Sequence, residues 1–255
     1  PDGREVTDPI AGITELEQTS QEHPYAVMGA ERCLKYAQRV PELLRTSGIS
    51  VLGDCRKNHY RVTPMGRSKA TWLTIDGYLT EQEPGKLPFE KVCIVNVEGF
   101  LDFYPEFIAE EFRKYGVACC FETINFPDLE HIRKNPSEMR SANVARVFDH
   151  EKNLDALADK IRKVVPECDA VIVPAIIGIN RNDSLGLLKS KIDIPLYLLP
   201  TLPPSIPGIK AQQTLQQCFR ALGGEYFLGD TVRSADLENG RVKQVYTVNH
   251  GNIPF

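Results

Sequence analysis

The sequence has no Cys-x-x-Cys pair, no Gly-x-Gly-x-x-Gly turn behind a strand, no Gly-x-Ser-x-Gly elbow, no His-Glu-x-x-His and no Walker loop. The first absence leaves zinc and iron–sulfur ligation without support, so no metal site is expected. The second leaves no cradle for a dinucleotide pyrophosphate. The pair Gly223-Gly224 falls at a helix end, which is the wrong place for one, so FAD or NAD binding by this chain alone is disfavoured. No block of like charge is long enough to grip nucleic acid. The longest apolar run, residues 170–179, is interrupted by Pro174 and Gly178 and is far too short to span a bilayer. No signal peptide is visible. These absences predict a soluble chain that meets no nucleic acid and at most docks on a membrane complex.

What is present is ordinary: 255 residues, 42% apolar, 25% charged, net charge −4. That is enough chain to bury a large core without staples. Seven cysteines, an odd number, sit mostly in apolar runs such as Ala118-Cys-Cys-Phe121 and read as free thiols of a reducing compartment. A vicinal Cys119–Cys120 disulfide is disfavoured by its geometry. The ends, Pro1 and Phe255, suggest the interior piece of a longer protein.

Along the chain, a short helix is expected near 13–18. A second is expected over 30–47, kinked or restarted at Pro41. Two strands, 60–65 and 70–74, flank Gly66 as a hairpin. Residues 76–90 carry two glycines and two prolines and read as a linker. From 92 the pattern alternates: strand 92–97, helix 103–115, strand 117–123, and a helix from Asn135 to Asp149. Asn135-Pro-Ser-Glu138 supplies that helix with N-cap, Pro at N1 and Glu at N3. Helix 154–165 and strands 170–175 and 196–199 follow. Alternation of this kind predicts an α/β fold: a mixed, mostly parallel sheet with flanking helices. A helix over 209–222 then leads to antiparallel strands at 225–228, 231–235 and 241–248, with Asn239-Gly240 as a type I′ turn. Three regions are expected: 1–90 with helix and hairpin, 91–200 as an α/β substrate or cap domain, and 201–255 returning toward a flavin-binding domain.

Chemistry-bearing residues are sparse. Of His23, His59, His131, His150 and His250, the last is best placed, just beyond a strand and beside Asn249. His150 shares helical spacing with Asn143 and Arg146, which equally describes a polar outer face. Arg61 and Arg67 on the hairpin, Arg140 and Arg146 on the capped helix and Lys210 at a helix start are cations near turns. Arginine offers a fork matched to phosphate. Lys210 stands where helix N–H groups are expected to be free, which suits an anion.

The segment Leu198-Leu-Pro-Thr-Leu-Pro-Pro-Ser-Ile-Pro-Gly208 makes a stiff, donor-poor elbow between strand and helix. With Asn249-His250, His23-Pro-Tyr25, Arg61-Val-Thr-Pro-Met-Gly66, Thr71-Trp-Leu73, Arg140-Ser-Ala-Asn143, Ala145-Arg146 and Gly208-Ile209, it resembles the B subunits of anaerobic glycerol-3-phosphate dehydrogenase, in family order across nearly the whole chain. The resemblance implies a fumarate-reductase-like flavoprotein fold, here partial. It implies FMN as cofactor, oxidation of sn-glycerol 3-phosphate to dihydroxyacetone phosphate, and electrons passed toward quinone. It also implies two partners at the inner face of a bacterial inner membrane: a catalytic A subunit, and a membrane-anchoring, iron–sulfur C subunit. Family members carry a glycine-rich flavin turn and a second nucleotide-fold segment that this chain does not show, so the chain alone is expected to be inactive and not to hold FMN. On that reading His250 takes the hydroxyl proton, and Arg140, Arg146 and Lys210 hold the phosphate. Thr201, Ser205 and Gly208 line the elbow facing flavin or substrate. Two alternatives stand beside it: a non-catalytic electron-relay and docking subunit, and a fumarate-reductase-type enzyme.

Overall fold

The computed structural model describes residues 5–165 and 167–254. The chain divides into two compact units, one ending at Thr214 and the other beginning at Leu215. The first opens with four helices: α1 (Pro9–Thr19), α2 (Pro24–Met28), α3 (Ala30–Ala37) and α4 (Val40–Thr46). Asp8 caps α1 by accepting from the amides of Ile10 and Ala11. The expected restart is there: α3 ends at Ala37 and α4 begins at Val40, with Pro41 in its first turn. Five short strands follow: β1 (Val51–Leu52), β2 (His59–Val62), β3 (Ser68–Thr71), β4 (Thr74–Ile75) and β5 (Thr80–Glu81). They form two small antiparallel sheets, β1–β4 and β3–β2–β5.

The centre of this unit is one sheet built from β6 (Lys91–Val97), β7 (Ala118–Ile124), β8 (Ala170–Pro174) and β9 (Leu196–Leu199). Its order is β7-β6-β8-β9 and every pairing is parallel. The intervening helices are α5 (Pro105–Lys114) between β6 and β7; α6 (Glu130–Arg133), α7 (Ser141–Phe148) and α8 (Glu151–Val164) between β7 and β8; and α9 (Ser184–Lys189) between β8 and β9. β8 is buried at every position, as a parallel strand covered on both faces must be. α5 turns Ile108, Ala109 and Phe112 inward, and α8 turns Leu154, Leu157, Ala158 and Ile161 inward. Complete burial of a side chain such as Phe112 or Phe148 contributes about 1.5–3 kcal/mol. Segment 77–79 adds to the β9 edge, with the Leu198 amide donating to Gly77 and the Leu79 amide to Leu198. Because the chain crosses from β7 back over β6 to β8, the strand order reverses between β6 and β8. Ligands of open α/β sheets bind beyond the carboxyl ends of the strands at such a point.

After α10 (Ile206–Ala221), the second unit carries β10 (Val232–Glu238), β11 (Arg241–Thr247) and β12 (Asn252–Pro254) as one antiparallel sheet. Asn239 and Gly240 both take positive φ, 53° and 74°, as a type I′ turn needs. Gly240→Ala is expected to cost about 1–2 kcal/mol in urea unfolding. An unchanged midpoint would contradict the turn assignment.

Three expectations need correction. The capping signal at Asn135 produces only a 3-10 turn, Pro136–Glu138, and the α-helix restarts at Ser141 because Arg140 is extended (φ −107°, ψ 156°). Residues 225–228 are not a strand, and the third strand of the terminal sheet is β12. α10 begins at Ile206, so Lys210 lies one turn inside it rather than at its start. Among the described residues no helix is long and apolar enough to cross a membrane.

Candidate functional site

At the carboxyl edge of the parallel sheet, three loops meet at one buried aspartate. Asp102 follows β6 and is 1% exposed. Its Oδ1 accepts from Arg140 Nη1 at 2.5 Å. Its Oδ2 accepts from the Ser141 amide at 3.0 Å and the Ser141 hydroxyl at 3.2 Å. It thereby caps α7 from a distant part of the chain, which explains why Arg140 is extended. The Ser141 hydroxyl also lies 2.9 Å from Thr201 Oγ1 beyond β9. The Leu202 amide donates to the Asp102 carbonyl at 2.9 Å. Arg140 and Thr201, picked out separately in the sequence, thus meet through Asp102 and Ser141. Thr201 is buried and engaged there, while Pro203 and Pro204 of the elbow are exposed. The Arg140 side chain stays 54% exposed, its guanidinium anchored on one side and open on the other. Sequence reading missed Asp102. Its available signal was an acid a few residues beyond a mostly apolar strand.

Ser205 and Gly208 form the start of α10. The Ser205 carbonyl accepts from Ile209 at 3.0 Å, and its hydroxyl from the Gly208 amide at 3.4 Å. Lys210 points into a cavity of about 510 Å³ walled by Tyr78, Ile177, Arg181, Asp183 and Leu198. Gly178 in its wall has φ +75°, and a Cβ there would stand 2.8 Å from the Arg181 carbonyl oxygen. Lys210 Nζ donates to that same oxygen at 3.4 Å. Burial lowers the pKa of Lys210, against the opposing pull of Asp149 and Asp183. Arg181 is committed elsewhere, to Asp183 at 2.8 Å and Glu151 at 3.8 Å. Burial pushes the Tyr78 phenol up, against the pull of Arg61. The cavity therefore offers a half-buried ammonium beside Tyr78, Ile177 and Leu198, with Asp76 and Asp183 also in its lining, and the ammonium is the group there that would meet an anionic head group.

Arg146 is held apart from both places. Its Nη1 donates to Asn143 Oδ1 at 2.9 Å, in a polar groove of about 950 Å³ that His131 and His150 also line. His150 precedes α8 as its N-cap residue, so the three residues share a groove rather than one helical face.

His250 belongs to the second unit. Its Nδ1 lies 2.5 Å from Asp230 Oδ2, and its ring meets Phe227 edge-on at 4.8 Å. Asp230 also accepts from the amides of Thr231 (2.8 Å), Asn249 (2.9 Å) and His250 (3.1 Å). Burial raises the Asp230 pKa, but these bonds outweigh it and hold the carboxyl well below the usual range. The histidine side chain is 43% exposed and the aspartate 5%. An acceptor-only partner at Nδ1 fixes the tautomer and leaves Nε2 as the proton acceptor.

The Gly223-Gly224 pair offers no cradle for a dinucleotide pyrophosphate. A Cβ at Gly224 would meet the Phe219 ring at 2.5 Å, so the double glycine is closed by an aromatic side chain.

Comparison with known proteins places these observations in a family. The family model described as FAD binding domain matches residues 4–254. The chain is 37% identical over 256 residues to the B subunit of anaerobic glycerol-3-phosphate dehydrogenase from Yersinia enterocolitica, covering 100% of this chain and 60% of the relative. The proteins of the same name from Pasteurella multocida and Pectobacterium carotovorum are 35% and 37% identical, with the same coverage. The chain thus spans 60% of the length of the curated relatives it matches. No solved structure matches it.

Proposed function

As the chain belongs to the FAD binding domain family of flavin-binding proteins, we propose that it is part of a flavin-dependent dehydrogenase that oxidises sn-glycerol 3-phosphate to dihydroxyacetone phosphate. The observation that carries this reading is identity of 35–37% along the whole chain to B subunits of that dehydrogenase. The flavin, FMN in this reading, supplies the hydride acceptor when bound. Electrons then pass to quinone through a complex with the A and C subunits at the inner face of the bacterial inner membrane.

The chain's own residues have two tasks. A phosphomonoester carries close to two negative charges at neutral pH, and a desolvated cation holds such a group far better than a solvated one. Lys210 meets that need. Oxidising a secondary alcohol also breaks its O–H bond, and the proton needs an acceptor in reach. On the second unit, taken by itself, His250 Nε2 is the acceptor offered for that role, with Asp230 setting the tautomer.

The assembled enzyme tests the first task. Lys210→Met is expected to raise KM for sn-glycerol 3-phosphate by about tenfold to a hundredfold, the worth of one hydrogen bond to a charged group, with kcat little changed. A KM equal to that of the unaltered enzyme removes Lys210 from the site.

A second reading, in which this chain relays electrons and docks while the A subunit performs the oxidation, draws on one observation. Among the described residues no histidine lines the Lys210 cavity.

A further inference from the structure

Among the described residues, the positive charge gathered on one face of the β3–β2–β5 sheet has no acidic partner. Directly opposed residues of an antiparallel ladder share a face. Arg61 in β2 opposes Lys69 in β3 and Thr80 in β5, and His59 opposes Thr71. Three basic side chains and two threonines therefore stand together. Like charges placed directly opposite destabilise a sheet. Among the described residues neither Arg61 nor Lys69 has an ion pair or a side-chain hydrogen bond, and Arg61 Nε is buried with no acceptor. The sheet's own carboxylate offers no relief. Glu81 opposes Tyr60 on the other face, where it accepts from Ser68 Oγ at 3.0 Å and the Gly85 amide at 2.5 Å. The nearby Arg67 has a partner, Glu111 at 3.9 Å.

The neighbours bear the mark of this uncompensated charge. His59 is buried, with Nε2 2.7 Å from Thr74 Oγ1. Burial and then the Arg61 charge hold its pKa below the usual value, which disfavours a further charge beside Arg61. Tyr78, which lines the Lys210 cavity, feels the same guanidinium. A buried donor left unmatched calls for an explanation, and a planar fork with the Thr80 hydroxyl beside it is an arrangement that receives an oxyanion, whereas the Thr71 hydroxyl is spent on the Leu73 carbonyl at 3.1 Å. Lys69 is exposed, so the face is open to solvent at that edge.

We propose that Arg61, supported by Lys69 and Thr80, forms an oxyanion site for a phosphate monoester, distinct from the place taken by Lys210. The choice of a phosphate monoester among oxyanions rests on the dehydrogenase function proposed above; the existence of an anion site does not. The phosphate of the substrate and that of a flavin mononucleotide share this chemistry, and competition separates them.

The test is a titration of this chain with inorganic phosphate at constant ionic strength, following the arginine Nε–H resonances by NMR and the melting temperature. One arginine signal is expected to shift saturably and to be absent from Arg61→Lys. Arg61→Met is expected to weaken phosphate binding at least about tenfold, while Arg67→Met leaves it unchanged. Should Arg61→Met fail to fold, the wild-type resonance and the Arg61→Lys comparison carry the result. Displacement of phosphate by sn-glycerol 3-phosphate or by FMN supports the monoester class and identifies its source. Phosphate binding that is identical in wild type and Arg61→Met overturns the site, and fumarate competing as well as either monoester overturns the class. Loss of the dehydrogenase reading with the Arg61 shift intact would leave this site standing, so the two ideas fail separately.

Discussion

Asp102→Ala destabilises the first unit by about 2–4 kcal/mol, measured by urea or thermal unfolding. The carboxylate is 1% exposed and accepts from a guanidinium, an amide and a hydroxyl. Its removal leaves the first turn of α7 with an amide that has lost its acceptor, inside the protein, where each such group costs about 1–3 kcal/mol. Breaking a fully buried ion pair costs about 3–5 kcal/mol. Arg140 is half exposed and regains water, so the lower end of that scale applies. Asp102→Asn keeps an acceptor and is expected to lose less. The damage extends beyond α7, because Thr201 is tied to the same junction through the Ser141 hydroxyl. A loss below about 0.5 kcal/mol, typical of an unimportant surface change, would contradict the role given to Asp102.

His250→Gln lowers turnover of the assembled dehydrogenase by about a hundredfold to ten-thousandfold, the usual worth of a positioned general base. Folding is expected to survive, since the ring is 43% exposed. Turnover within about threefold of wild type would remove His250 as the proton acceptor and favour the relay reading. Asp230 supplies a separate pH signature. Its folded-state pKa is depressed, so the unfolded chain binds the proton more readily. The stability it contributes is present in full above the unfolded value of about 3.9 and is lost as pH falls through the lower folded value. The turn that holds His250 is therefore expected to keep its hydrogen-exchange protection from neutral pH down to roughly pH 4 and to lose it only in stronger acid. Loss near pH 6 would mean that another group governs it.

How far the sequence spoke depended on the range of the forces involved. Signals carried within a few residues were legible. α4 restarts with Pro41 in its first turn, the apolar runs become β6 and β8, and Asn239-Gly240 makes its turn. Signals set by distant partners were not. Asn135-Pro-Ser-Glu138 has the chemistry of a long helix start, yet Asp102, far back in the chain, captures the Ser141 amide and forces a new beginning. The stretch at 225–228 has strand-like residues, but Phe227 is spent against the His250 ring and Asn252–Pro254 takes the free edge of β11. The cations show the same limit. Arg140 and Arg146 lie six residues apart with similar sequence credentials; one is anchored to a buried acid, the other to Asn143. Arg61 had no more local support than Arg67. Only the ladder register shows that Arg61 faces Lys69 with, among the described residues, no acid to answer it.

The central claim is that this chain serves the oxidation of a phosphorylated alcohol within a flavoprotein. Its most direct test is anaerobic addition of sn-glycerol 3-phosphate to the flavin-loaded full-length protein, first alone and then with the A subunit present, while the visible flavin absorbance is followed. The account predicts bleaching with the full-length protein alone, and slower bleaching at low substrate for Lys210→Met. Bleaching that occurs only when the A subunit is added, or none in either case, would contradict it.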